Sequence, residues 1–218
     1  FRYSLERFLL KEMVCPDLPW INFYDEIITS KTEGIIIEDH SDITGEAYFR
    51  SRHSIISKVL TDAINKGKEG VLSNLVEIIH HMKSYMEEHK WLVRKLILDD
   101  EVRQYLGDLN LINKLLNAAI EKFPNDVVII QHMGMFEKSR ENYDTAKEYF
   151  ERALQIEPQN SAVIHSLGEL NKEIALKEDS PNLEELYSKR AIEYFIRART
   201  LSVTEHGYHS HALLLLQR

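Results

Sequence analysis

From Gly70 onward the chain alternates apolar and polar residues with a period of three to four. "VLSNLVEIIHHMKSYM" (71–86), "HKWLVRKLIL" (89–98) and "DLNLINKLLNAAIEKFP" (108–124) each gather their aliphatic residues on one face, which predicts amphipathic helices. The first third is patterned differently. "EGIIIEDHSDITGEAYFRSRH" (33–53) sets β-branched Ile35, Ile36 and Ile37 before a polar connector holding Gly45, then Tyr48 and Phe49, which predicts a short β-hairpin. Helices are expected on either side of it. Two precede it, Leu5–Met13 and Ile21–Ser30, parted by the breaker "CPDLPW". One follows, in "SIISKVLTDAINKG", with Ile55, Ile56, Val59, Leu60 and Ala63 on one side and Gly67 as its stop.

Two prolines set the period of the second half. Pro124 and Pro158 each end a helical stretch and lie 34 residues apart. Counted from Val127, the segment between them carries Ile130 and Met133 with small Gly134, then Tyr143, Ala146, Phe150, Ala153 and Pro158. Small residues at Gly134, Ala146 and Ala153 suit two antiparallel helices in close approach. Phe150 suits the gap between successive pairs, and Pro158 cannot continue a helix. The first half of the pattern returns at Ile164, Leu167 and Gly168. Its second half, Ala191, Phe195 and Ala198, returns eleven residues late, after "ALKEDSPNLEELYSK", which predicts a lengthened helix pair with a polar connector near Ser180-Pro181. Leu116, Ala119 and Pro124 match the end of an earlier unit, and "EHGYHSHALLLLQR" the opening of a later one.

These residues and their period resemble the tetratricopeptide repeat (TPR) over 108–218, with a best repeat at 127–160 and an interrupted one at 161–205. Two positions depart from the pattern: Glu137 stands where an aromatic is usual and Glu141 where Gly is usual. The resemblance implies a solenoid whose inner face, built from the first helix of each pair, binds protein segments. The side chains it assigns to that face are Gln131, Met135, Lys138 and Ser139, then His165, Glu169 and Lys172. The competing reading of each is a merely solvated helix face. TPRs that clamp a terminal carboxylate use Lys and Asn at fixed inner sites. Gln131, His132 and Met135 occupy three of those sites here, which argues against that use.

Helix, helix, hairpin, helix over 1–67 reads as a small winged-helix-like module, and 68–107 as a helical linker. With "YFRSRHSIISKVL" (48–60) before that linker and the repeats, the order of parts resembles the region after the nucleotide-binding core in STAND-type NTPases, in particular bacterial antiviral proteins that join an effector enzyme, an NTPase and C-terminal TPRs. The resemblance implies ATP or ADP with Mg in a longer parent, contacts to nucleotide phosphates from Arg52 or His53, with Arg50 a further candidate, and homo-oligomerisation on activation. A guanidinium forks onto phosphate oxygens, and a histidine responds to charge beside it. A surface arginine and a helix-capping histidine are the plainer alternatives. The chain has no GxxxxGK[ST] phosphate loop, so no cofactor is expected on this fragment alone.

Charge narrows the partners. The 218 residues carry a formal net charge of −8, which argues against a nucleic-acid binder. No apolar run is long enough for a membrane span. Cys15 is the only cysteine, which fits a reducing, cytoplasmic setting without disulfides. No catalytic residue or metal site is assigned: His80-His81 and "HGYHSH" (206–211) lack a defined ligand set. Trp20 and Trp91 are expected as core anchors. The start at Phe1 and the stop in an apolar run read as cuts from a longer chain. The sequence thus leads to a mainly α chain, a winged-helix-like module followed by an α-α superhelical TPR solenoid. Its expected function is the sensing arm of a STAND-type antiviral NTPase, binding a foreign protein such as one from a phage. The alternatives are a TPR scaffold without nucleotide switching and, third, a winged-helix transcriptional regulator, whose candidate recognition helix at 54–68 has few basic residues.

Overall fold

The chain is mainly helical. The computed structural model describes residues 67–202 in full, and the backbone of Leu5–Glu6, Ile36–His40 and Ala47–Ser51. It divides into two compact units, 1–118 and 119–218.

In the first unit, strands β1 (Leu5–Glu6), β2 (Ile36–His40) and β3 (Ala47–Ser51) form an antiparallel sheet in the order β1-β3-β2. Ile37 stands opposite Arg50, and Leu5 opposite Phe49. The helix expected over Leu5–Met13 is therefore corrected at its start, where the backbone pairs as β1. The winged-helix module gains no support, because the helices expected at 21–30 and 54–66 lie outside the described residues. So do Trp20, Arg52, His53 and the 206–211 histidines.

Helices α1 (Lys68–His81), α2 (Glu87–Leu98) and α3 (Asp100–Leu106) follow. α1 buries Val71, Leu72, Leu75 and Ile79, the one-sided stripe that its period predicts. It ends five residues sooner than the apolar pattern through Met86 suggests. At that turn the ring of buried His89 takes over a backbone group, its Nδ1 accepting the N–H of Lys83 at 2.8 Å. α3 was not foreseen as a separate helix. Asp99 caps it by accepting the N–H of Val102 at 3.0 Å, and Gly107 closes it at φ 61. Trp91 is not a core anchor: 56% exposed, it lies on the outer side of α2 with the Lys95 ammonium 5.3 Å from its ring. Val93, Leu96 and Ile97 fill the buried side instead. α4 (Leu109–Lys122) runs across the division between the units, with Leu111, Leu115, Leu116, Ala118 and Ala119 buried.

The second unit is built from two helix hairpins. α5 (Val127–Ser139) pairs with α6 (Tyr143–Ile156), and α7 (Ser161–Lys177) with α8 (Pro181–Leu201). Both pairs are antiparallel. Arg152, late in α6, donates to the carbonyl of Pro124 just before α5. Arg197, late in α8, donates to the carbonyl of Pro158 just before α7 at 2.8 Å. The first helices start alike as well, Asp126 accepting from Ile129 N–H and Asn160 from Val163 N–H, both at 3.1 Å. Ala146, Phe150, Ala153, Ala191 and Phe195 are wholly buried, and Ala198 nearly so. The eleven-residue delay is absorbed inside the second hairpin. α7 is four residues longer than α5 and α8 seven longer than α6, while both connections keep three residues. The hairpins pack side by side through a core of Val127, Ile130, Ala146, Phe150, Ala153, Val163, Leu167 and Leu170.

Candidate functional site

Helices α5 and α7 lie next to each other, and the side chains assigned to a binding face come from these two first helices. Each helix turns its aliphatic residues, Ile130 and Met133 or Ile164 and Leu167, into the core, while Gln131, His132 and His165 between them are half-buried and Ser166 is buried. A hydrogen bond from Gln131 Nε2 to Ser166 Oγ at 2.9 Å ties the two helices together, and Ser166 Oγ donates in turn to the Ala162 carbonyl at 3.0 Å. Met135 is 41% exposed. Ser139 turns its hydroxyl back to the Phe136 carbonyl at 2.6 Å, so it serves the end of α5.

The charged members of the set are engaged with carboxylates. Lys138 reaches Glu173 of α7 at 3.3 Å, and Lys172 reaches Glu169, one turn earlier in its own helix, also at 3.3 Å. His165 Nε2 lies 3.9 Å from the other oxygen of Glu169, and its ring stands 5.3 Å from the ring of Phe195. All seven predicted side chains are thus on α5 and α7, and Gln131 and Lys138 are bonded directly across from one helix to the other.

Glu173 and Tyr143 are missing from the predicted set, although they complete its polar network. The Tyr143 hydroxyl donates to Glu173 at 3.1 Å, so one carboxylate joins α5, α6 and α7. Tyr143 carries the only sequence signal for this, as the first residue of a second helix. Nothing in the sequence pairs it with a residue thirty positions later. Next to it Lys177 reaches Glu141 at 2.7 Å and lies 5.5 Å from the Tyr143 ring. The Glu141 carboxylate, and after it the Tyr143 hydroxyl, hold the Lys177 ammonium above its ordinary value of 10.5.

The two departures from the repeat pattern have local explanations. Glu137 is buried, and its carboxylate accepts from Asn142 Nδ2 at 2.6 Å and from Arg140 at 3.4 Å, tying down the turn between α5 and α6. Glu141 in that turn adopts φ 63, the left-handed conformation that makes Gly the usual residue there.

Elsewhere a depression at the turn between α6 and α7 is lined by Ile156, Glu157, Pro158, Gln159, Asn160, Ser161 and Ala162, and its one carboxylate, Glu157, accepts from Asn160 at 2.7 Å. Among the described residues no three His, Cys, Asp or Glu side chains are placed to hold a metal ion. None of the described helices is long and apolar enough to cross a membrane. No protein-family model matches the chain, and no curated protein matches it.

Proposed function

We propose that residues 108–218 are a TPR-type module that binds a protein segment on the joint face of α5 and α7, as the sensing arm of a STAND-type NTPase. The observation that carries the recognition half is the repeated small-against-aromatic contact. A Cβ on Gly134 would stand 2.6 Å from the Phe150 ring, and one on Gly168 closer still to the ring of Phe195. Two hairpins built around the same contact put their first helices in equivalent places. That lines up a second-turn polar residue (Gln131, His165), a middle residue (Met135, Glu169) and a lysine (Lys138, Lys172) in two parallel rows. Surfaces of this kind, made from repeated units, are used for extended partners.

A photo-crosslinking residue in place of Met135 tests the recognition half. It is expected to capture protein in cells, whereas the same residue in place of Lys147, 57% exposed on α6, captures none. Equal capture from both positions removes the reading. The relay half rests on sequence alone, on Arg52, His53 and the order of parts. In a longer protein with a nucleotide-binding core, Arg52→Ala with His53→Ala is expected to weaken ADP binding. Unchanged affinity would leave a binding scaffold without nucleotide switching.

A further inference from the structure

The face on α5 and α7 is matched to an uncharged partner, we infer, anchored by an apolar side chain on Met135 and not by a carboxylate; this rests on the binding role proposed above. The first ground is the state of the cations. Lys138 and Lys172 are the basic residues of the face, and each is already held at 3.3 Å by a carboxylate of α7. Both pairs are largely shielded from solvent, with side-chain exposures of 23% and 33% for Lys138 and Glu173, and 16% and 27% for Lys172 and Glu169. A carboxylate arriving at either lysine comes to rest beside Glu169 or Glu173. It must share the cation or displace an internal partner, which leaves a half-buried negative charge uncompensated. A basic segment meets the converse difficulty, since both glutamates are already neutralised by lysines.

The second ground is the apolar surface that the same two helices carry. Val128, Met135 and Ala162 bring apolar surface to the same face, and of these Met135 and Ala162 are exposed. Met135 is an adaptable apolar anchor, because an unbranched thioether fits partners of different shape. Gln131 and His165 flank it with polar groups that carry no fixed charge. Charge complementarity therefore selects a neutral segment with an aliphatic or aromatic side chain, whose binding is little screened by salt.

A selection from a library of random peptides of about twelve residues, displayed with free C-termini and run on the whole chain, tests this, a length comparable to three or four turns of the facing helices. The inference expects enriched peptides of net charge near zero with a shared apolar position. Their synthetic versions should lose less than about threefold in affinity between ~0.05 and ~0.5 M NaCl, a range over which exposed charge contacts are strongly screened. Met135→Glu should weaken them by at least about tenfold, because it places a charge at the anchor. Met135 is exposed, so this variant is expected to keep its helical circular dichroism and melting behaviour, which is checked alongside. Enrichment of acidic or carboxylate-terminated peptides that are lost with Lys172→Met overturns the neutral-partner inference but leaves the binding role standing. No enrichment, or binding that Met135→Glu leaves unchanged, overturns both.

Discussion

Gly134 and Gly168 are set by what faces them. Each lies against the edge of a wholly buried phenylalanine, too close for a methyl group. Gly134→Ala would gain about 1 kcal/mol in helix propensity. Overpacking typically costs about 1–3 kcal/mol, and here the Phe150 ring is closed in on every side, so the cost is expected to win. Denaturant unfolding is expected to show a net loss for Gly134→Ala and a similar one for Gly168→Ala. A gain at either site would mean that the ring can move aside. Glu141 offers the opposite case. A non-glycine residue in the left-handed region costs roughly 1–2 kcal/mol, partly offset because Gly loses more entropy on folding. Glu141→Gly is expected to stabilise the chain by about 0.5–1 kcal/mol, read from the same denaturation curves. The ion pair it removes, with Lys177, is at the surface and screened. That pair helps below the ordinary lysine pKa and is lost as pH rises through the raised folded value. Both glycines and the unusual glutamate could be picked out in the sequence. Close helix approach was legible there as the reason for a small residue at 134, but not that each glycine meets a particular ring 16 or 27 residues away, nor the torsion that Glu141 adopts.

At the level of elements, the second hairpin holds a lengthened pair of helices on an unchanged base. The extra turns in α7 and α8 lie at the end away from Gly168, Phe195 and the Arg197–Pro158 bond. Two antiparallel helices can grow together at their shared loop without disturbing the packing at the other end. Replacing residues 174–187 by the Arg-Glu-Asn turn of the first hairpin restores the shorter spacing. The shortened chain is expected to unfold in a single transition, at some loss of stability from buried Ala175 and half-buried Ile174. Loss of cooperative unfolding would show that the extension supports the base. The delay was legible in the sequence as an interval of polar residues around a proline. α3 was missed although its signals were present, an Asp N-cap, acidic residues in the first turn and a glycine at its close. Its seven residues are too few for a hydrophobic period to stand out. Trp91 went wrong for another reason: the α2 period has a buried side of Val93, Leu96 and Ile97, and the large aromatic falls on the other.

Across the whole molecule the decisive quantity is charge. The formal net charge is −8, and the lysines of the candidate face are spent on internal carboxylates. Duplex DNA is expected to bind weakly in a fluorescence-anisotropy titration, with a log–log salt slope close to zero. A steep slope would point to several phosphate contacts and revive the transcriptional-regulator reading.

By itself the amino-acid order determined that the chain is mainly helical, where α5 and α6 begin, that a proline follows α6, where the connector between α7 and α8 falls, and which small and aromatic residues recur, since these follow from short-range periodicity and breakers. Only the tertiary structure decided that Gln131 bonds to Ser166 and that Glu173 joins Lys138 to Tyr143. It also left Met135 exposed and turned Glu137 into the anchor of a turn. The physical reason is distance along the chain. A helix is closed by bonds four residues apart, whereas the polarity of its outer face also depends on which distant groups packing brings within reach: the next hairpin brings Glu173 to Lys138, while Lys172 finds Glu169 within its own helix.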